Sequence, residues 1–165
     1  MNLKTLSYLS TSFSSLQVLK LSGWTSLESL SSLPSTLITL GLAGCRSLQT
    51  VDASLPALQI LGLQGCTNLK KLPTALGASM LDLYLDECDG LEELLPSNQA
   101  SFFGELSCLE VLDLSHCTSL KTLSSLPTTL RQLHLCDCRN LDIVNASLPN
   151  LEVLHWHQNA QACEN

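Results

Sequence analysis

The feature that most constrains this chain is a leucine frame, L-x-x-L-x-L-x-x-C-x-x-L-x-x-L, that recurs along its whole length. Copies open at Leu16, Leu37, Leu58, Met80, Leu109, Leu130 and Leu151, at steps of 21, 21, 22, 29, 21 and 21 residues. Leu3, Leu6 and Leu9 read as the tail of an incomplete copy within residues 1–15, so residues 1–165 make one repeat domain. A longer period of 93 residues lies over the short one. Ser14–Leu37 (SSLQVLKLSGWTSLESLSSLPSTL) matches Ser107–Leu130 (SCLEVLDLSHCTSLKTLSSLPTTL) at most positions, which marks a duplicated block of three repeats.

Leucines one residue apart face the same side of an extended segment, and the residue between them faces the other. A single short strand cannot bury its leucines, whereas parallel stacking of copies buries all of them and shares stability between neighbours. The frame therefore predicts an α/β-type repeat solenoid, a horseshoe with a concave parallel β-sheet. Pro34, Pro56, Pro127 and Pro149 stand two or three residues before the next opening and oppose helix there. The convex returns are thus expected to be short, extended or 3₁₀, and mostly non-helical. The longer return, Pro96 to Leu106, reads either as a plain loop insertion or as a short helix with Phe102 or Phe103 packed inward.

Composition closes off several functions. Hydrophobic residues make up 45% of the chain but aromatics only 4%, so the core is leucine. The net charge is −7 with no run of Lys or Arg, which argues against nucleic acid, because binding to phosphate backbones needs clustered basic residues. No stretch reaches the roughly 20 apolar residues of a membrane span, and Met1-Asn2-Leu3-Lys4 opens no signal peptide. No cofactor motif is present. Self-association is expected through repeat ends that look uncapped, since exposed core invites pairing.

Five of the eight cysteines, Cys45, Cys66, Cys88, Cys117 and Cys138, share one slot, with Trp24 and Asn159 in the first and last frames. Cysteine is small, buries readily and carries a weak S–H donor. Five equivalent slots cannot pair off, so these thiols are expected to be reduced and structural, which places the chain in the cytoplasm. The Asn145-Ala146-Ser147 sequon is then a chance match.

Seven frames in register resemble the leucine-rich-repeat family over essentially the whole chain. The cysteine form of the frame, as in LSCLEVLDLSHCTSLKTL, resembles the repeat domains of plant intracellular nucleotide-binding disease-resistance receptors. That resemblance implies a ladder slot turned inward just past the strand, and a protein-binding, sensing or regulatory role in innate immune signalling. The chain has no GxxxxGK[ST] loop to go with it. The L-P-x-T-L returns are also similar to bacterial effector repeats, which keep asparagine in the ladder slot, and a relation to F-box repeat proteins lacks the F-box.

The outward strand positions form three columns. One reads Lys20, Gly41, Gly62, Tyr84, Asp113, His134, His155. The position two before it contributes Asp82, and the position two after it contributes Asp86, Cys136 and His157. The first half of this face is smooth and small. The second half carries Tyr84, Asp82, Asp86, Asp113, His134, His155 and His157, side chains the core does not need and therefore candidates for ligand binding. His134, Cys136, His155 and His157 occupy two slots on adjacent strands and suggest a metal site of imidazole and thiolate donors; His116 and Asp137 lie toward the loop edge as weaker candidates. An exposed parallel sheet has its amides committed to the ladder and offers no oxyanion donors, so no catalytic residues are expected. The competing readings are a metal-binding protein and an architectural solenoid.

Overall fold

The computed structural model describes residues 4–6, 9–73, 75–94, 106–124, 126–145 and 147–158. Along the chain lie β1 (Thr5–Leu6), α1 (Leu9–Ser12), β2 (Val18–Lys20), β3 (Ser29–Ser31), β4 (Thr39–Gly41), β5 (Thr50–Asp52), β6 (Ser54–Leu55), β7 (Ile60–Gly62), β8 (Ala75–Leu76), β9 (Asp82–Tyr84), β10 (Val111–Asp113), β11 (Thr122–Ser124), β12 (Gln132–His134), β13 (Ile143–Asn145) and β14 (Val153–His155). Seven of them form one parallel sheet in the order β14-β12-β10-β9-β7-β4-β2. The fold is a parallel β-solenoid with one main strand per repeat.

Every pairing in the main sheet joins equal slots of the frame. Leu19 pairs with Leu40, Leu40 with Leu61, Leu61 with Leu83, Leu83 with Leu112, Leu112 with Leu133 and Leu133 with Leu154. A slip of one residue would turn each leucine outward, so the hydrophobic alternation fixes the register. The second leucine of each L-x-L, from Leu42 to Leu135, is buried as well. Burying one such side chain stabilises the fold by about 1.5–3 kcal/mol. The 29-residue step from Met80 to Leu109 leaves the main sheet unbroken, because β9 and β10 still pair directly.

The returns are mostly non-helical, as the prolines predict, so the solenoid is all-β in character and the α/β label does not hold. Among the described residues the helix is limited to the four residues of α1. The returns are extended, and they pair in parallel as β1-β3-β5, β6-β8 and β11-β13. A step of about 21 residues that already holds a strand and two turns leaves little room for a typical helix of about 11 residues, and the prolines oppose one. The i→i+3 bonds Leu37 N to Pro34 O (3.2 Å) and Leu130 N to Pro127 O (3.3 Å) turn the chain back toward the main sheet. The core fills the space between main and return strands, with Leu30, Val51 and Leu123 contributed from the return side. The long return falls largely on residues 95–105, outside the described residues, and with it Phe102 and Phe103.

Candidate ligand-binding face

The main strands from β2 to β12 leave the sheet through tight turns. Cys45 N bonds Leu42 O (3.1 Å), Cys66 N bonds Leu63 O (3.0 Å), Cys88 N bonds Leu85 O (3.1 Å) and Cys117 N bonds Leu114 O (3.1 Å). The third residue of these turns is left-handed throughout: Gly23, Gly44 and Gly65 at φ of 78°, 74° and 67°, then Glu87, His116 and Asp137 at 60°, 60° and 57°. Glycine adopts this geometry freely, while other L-residues adopt it under strain.

The turn delivers the next side chain into the interior. All five ladder cysteines are free and their thiols donate to main-chain carbonyls of the preceding repeat. Cys45 bonds Leu21 O (3.2 Å), Cys66 Leu42 O (3.3 Å), Cys88 Leu63 O (3.1 Å), Cys117 Leu85 O (3.1 Å) and Cys138 Leu114 O (3.1 Å). Burial pushes the thiols of Cys66 and Cys117 up to about 12 and that of Cys138 to about 11, and raises those of Cys45 and Cys88 too.

On the other face of the sheet the registers place Lys20, Gly41, Gly62, Tyr84, Asp113, His134 and His155 in one continuous column. Asp82 lies on the neighbouring column opposite Ile60 and Val111. Within the main column His134 and His155 touch: their Nδ1 atoms are 3.1 Å apart and their rings meet edge to face with centroids 4.7 Å apart. One ring presents its N–H and the other its lone pair.

The centre of this face is acidic. Burial raises the Asp82 carboxyl and Glu110 raises it further. Burial followed by the charge of Asp113 raises Asp86. The Tyr84 hydroxyl is raised by burial, then by Asp82 and Asp113. The Asp113 Oδ1 accepts the Ser115 N–H at 2.9 Å. Among the described residues, none of Asp82, Asp86 and Asp113 forms a salt bridge. The charge of His116 acts the other way on Asp86 without reversing its shift.

The proposed four-donor metal set does not assemble. Cys136 is buried and its sulfur is held in a disulfide, so it has no thiolate to offer. Among the described residues no three His, Cys, Asp or Glu side chains converge on a position that could hold a metal ion. Of the four, His134 and His155 come together, and His157 is exposed.

One pair escaped sequence reasoning. Arg139 grips the buried Asp137 with both arms of its guanidinium, Nε to Oδ1 at 2.7 Å and Nη2 to Oδ2 at 2.9 Å, and His116 Nδ1 lies 3.6 Å from Oδ2. The Arg139 bond, then its charge and the His116 contact, hold the Asp137 carboxyl below the usual carboxylate range despite the opposing effect of burial. The available signal was the slot of Gly23, Gly44 and Gly65: a non-glycine there marks a constrained turn. The partner two residues on had no marker in the frame.

These features define the class as a parallel β-solenoid repeat protein with an aromatic and acidic patch beside a histidine pair. Comparison with protein-family models, curated proteins and solved structures found no match. Among the described residues no helix is long and apolar enough to cross a membrane.

Proposed function

We propose that the chain is a protein-recognition module that docks a partner on the outward face of its main sheet, centred on Tyr84. The observation that carries this reading is the set of three carboxylates on the strand of Tyr84 and its neighbour, none of which forms a salt bridge among the described residues. A Lys or Arg side chain from a partner would lie against the ring face and neutralise the carboxylates. Binding would relieve a repulsion that the fold alone leaves in place.

The cysteine-ladder frame supports a finer proposal, that this is a leucine-rich-repeat domain of the kind that senses ligands in plant-type intracellular immune receptors. A cytoplasmic site of action belongs to that proposal; it rests on the six cysteines that are free among the described residues, where Cys136 is oxidised. The test is selection of a displayed peptide library on the folded chain. Enriched sequences should carry Lys or Arg, and their binding should weaken with salt and with Asp86→Asn or Asp113→Asn. Enrichment of sequences without basic residues, or binding indifferent to both substitutions, would refute the reading.

A further inference from the structure

The histidine pair stands on backbone that the sheet holds in place. β12 and β14 pair in parallel with His134 opposite His155. The ladder bonds Leu114 N to His134 O (2.9 Å) and Leu135 N to His155 O (2.7 Å) fix both residues from the backbone side. Both side chains are half-buried, so solvent reaches them. Their Nδ1 atoms meet at 3.1 Å with the rings edge to face. The scaffold does not need this contact. In the first copy of the duplicated block, 93 residues earlier, the same two slots are Gly41 and Gly62, which pair in the same register and carry no side chain.

Two imidazole nitrogens at this separation are spaced as neighbouring ligands of one ion. Zinc holds nitrogen at about 2.0–2.1 Å, which puts two ligands about 3.3–3.4 Å apart at the tetrahedral angle. With the same bond length at a right angle, as in square-planar geometry, they lie about 2.8–3.0 Å apart. The observed 3.1 Å falls between those limits. As the pair stands, one ring donates its Nδ1 proton to the lone pair of the other. Turning the two rings about their Cβ–Cγ bonds brings both Nδ1 atoms to face one point above the sheet. The donating ring gives its Nδ1 proton to solvent and takes one at Nε2, a change of tautomer with no net charge.

The neighbouring charge favours a cation there. Asp113 is the register partner of His134 on the side away from His155, and among the described residues it forms no salt bridge. We propose that the imidazoles of His134 and His155 bind one borderline divalent transition-metal ion, of the zinc class, through their Nδ1 atoms. Imidazole suits such ions, whereas magnesium and calcium take oxygen ligands. Among the described residues no third His, Cys, Asp or Glu side chain converges on the pair, so water fills the remaining positions. A structural zinc site is closed by four protein ligands; this one keeps open positions, and its ion is exchangeable.

The test titrates the full chain with zinc chloride in a non-chelating buffer. Calorimetry should give one zinc per chain and no binding of magnesium at the same concentrations. Nitrogen NMR of the histidine rings should report metal at Nδ1 and a proton at Nε2 in both His134 and His155. His134→Ala and His155→Ala should each weaken zinc binding by about tenfold or more, while His116→Ala and His157→Ala leave it unchanged. No zinc uptake, uptake that survives His134→Ala and His155→Ala, or magnesium binding as tight as zinc would each overturn the proposal. Should a histidine variant fail to fold, the ring-nitrogen signals of the wild-type chain decide: unchanged His134 and His155 signals at saturating zinc would overturn it too.

Discussion

The thiol ladder should make this fold sensitive to alkali. Each ladder cysteine is protonated inside the fold and donates to a carbonyl, and burial raises its pKa from an ordinary value of 9.0. Because the folded value is the higher one, the stabilisation is complete below pH 9.0 and is lost as pH rises through the folded values, about 12 for Cys66 and Cys117 and about 11 for Cys138. At about pH 10 an unfolded thiol is mostly ionised while a ladder thiol is not, which favours unfolding by about 1.4 kcal/mol per thiol. Cys66, Cys88, Cys117 and Cys138 together account for about 5 kcal/mol, and Cys45 adds in the same direction. Whole domains are stable by only about 5–15 kcal/mol.

The assay is urea unfolding followed by far-ultraviolet circular dichroism across the alkaline range, with thiolate absorbance recorded in parallel. The expected result is a steep fall in stability above pH 9.0, with thiolate appearing only as the strands are lost. Cys66→Ala gives the control. It removes the buried sulfur and its bond to Leu42 O, which still accepts the Cys45 N–H, and costs about 1–3 kcal/mol near neutrality, but it loses less in alkali because one titrating group is gone. Its deficit should therefore narrow as pH rises. Thiols that ionise near 9.0 while the dichroism stays native would refute the reasoning, as would a Cys66→Ala deficit that does not change with pH.

Four further outcomes follow from the backbone and the Asp137 cluster. At Gly44 an added Cβ would meet only Gly23 N at 3.7 Å and Gly23 Cα at 3.8 Å, so Gly44→Ala should cost about 1 kcal/mol through its left-handed φ alone. At the equivalent Glu87, substitution by Gly should stay within about 0.5 kcal/mol of neutral, because relief of strain is offset by a freer unfolded chain; urea midpoints check both. Gly77→Ala drives its Cβ into the Pro56 carbonyl and should cost about 2–3 kcal/mol by the same measurement. Arg139→Ala should return the Asp137 carboxyl toward its ordinary range, seen by carbon NMR titration. The lowered carboxyl contributes stability above the ordinary carboxylate pKa and loses it as pH falls through the lowered value, so the variant should lose that contribution.

The sequence made the main sheet legible because one period governs it. Alternating leucines fix which side is buried, equal slots pair, and the columns from Lys20 to His155 follow by counting. The return strands were not legible to the same degree. Segments such as Ser29–Ser31 and Thr50–Asp52 are short and rich in hydroxyls, and their pairing is decided by the stacking of the main strands, not by local pattern. The His134–His155 contact depends on rotamers that no spacing encodes. Cys136 is the one cysteine in a column that otherwise reads Ser22, Ala43, Gln64, Asp86, Ser115 and His157, so its neighbours gave no warning of its oxidised state.

The duplication allows scaffold and face to be weighed against each other within one chain. Positions 93 residues apart keep the core unchanged: Leu19 and Leu112, Leu21 and Leu114, Leu40 and Leu133, Leu42 and Leu135. The outward column is replaced at every step, Lys20 by Asp113, Gly41 by His134 and Gly62 by His155. Even the left-handed turn position departs, Gly23 becoming His116 and Gly44 becoming Asp137, each substitution adding strain of about 1 kcal/mol or more. A merely solvated surface has no reason to prefer strained or mutually repelling residues. Here the strained turns, the buried Asp137 and the raised carboxylates of Asp82 and Asp86 lie in the same half of the sheet as Tyr84 and the histidine pair. Departures from the most stable choice are expected where function competes with stability. Ser32, on the return side of the first half, is also left-handed at φ 56°, but on the turns that leave the main strands the non-glycine residues gather in the second half, beside the face proposed for recognition.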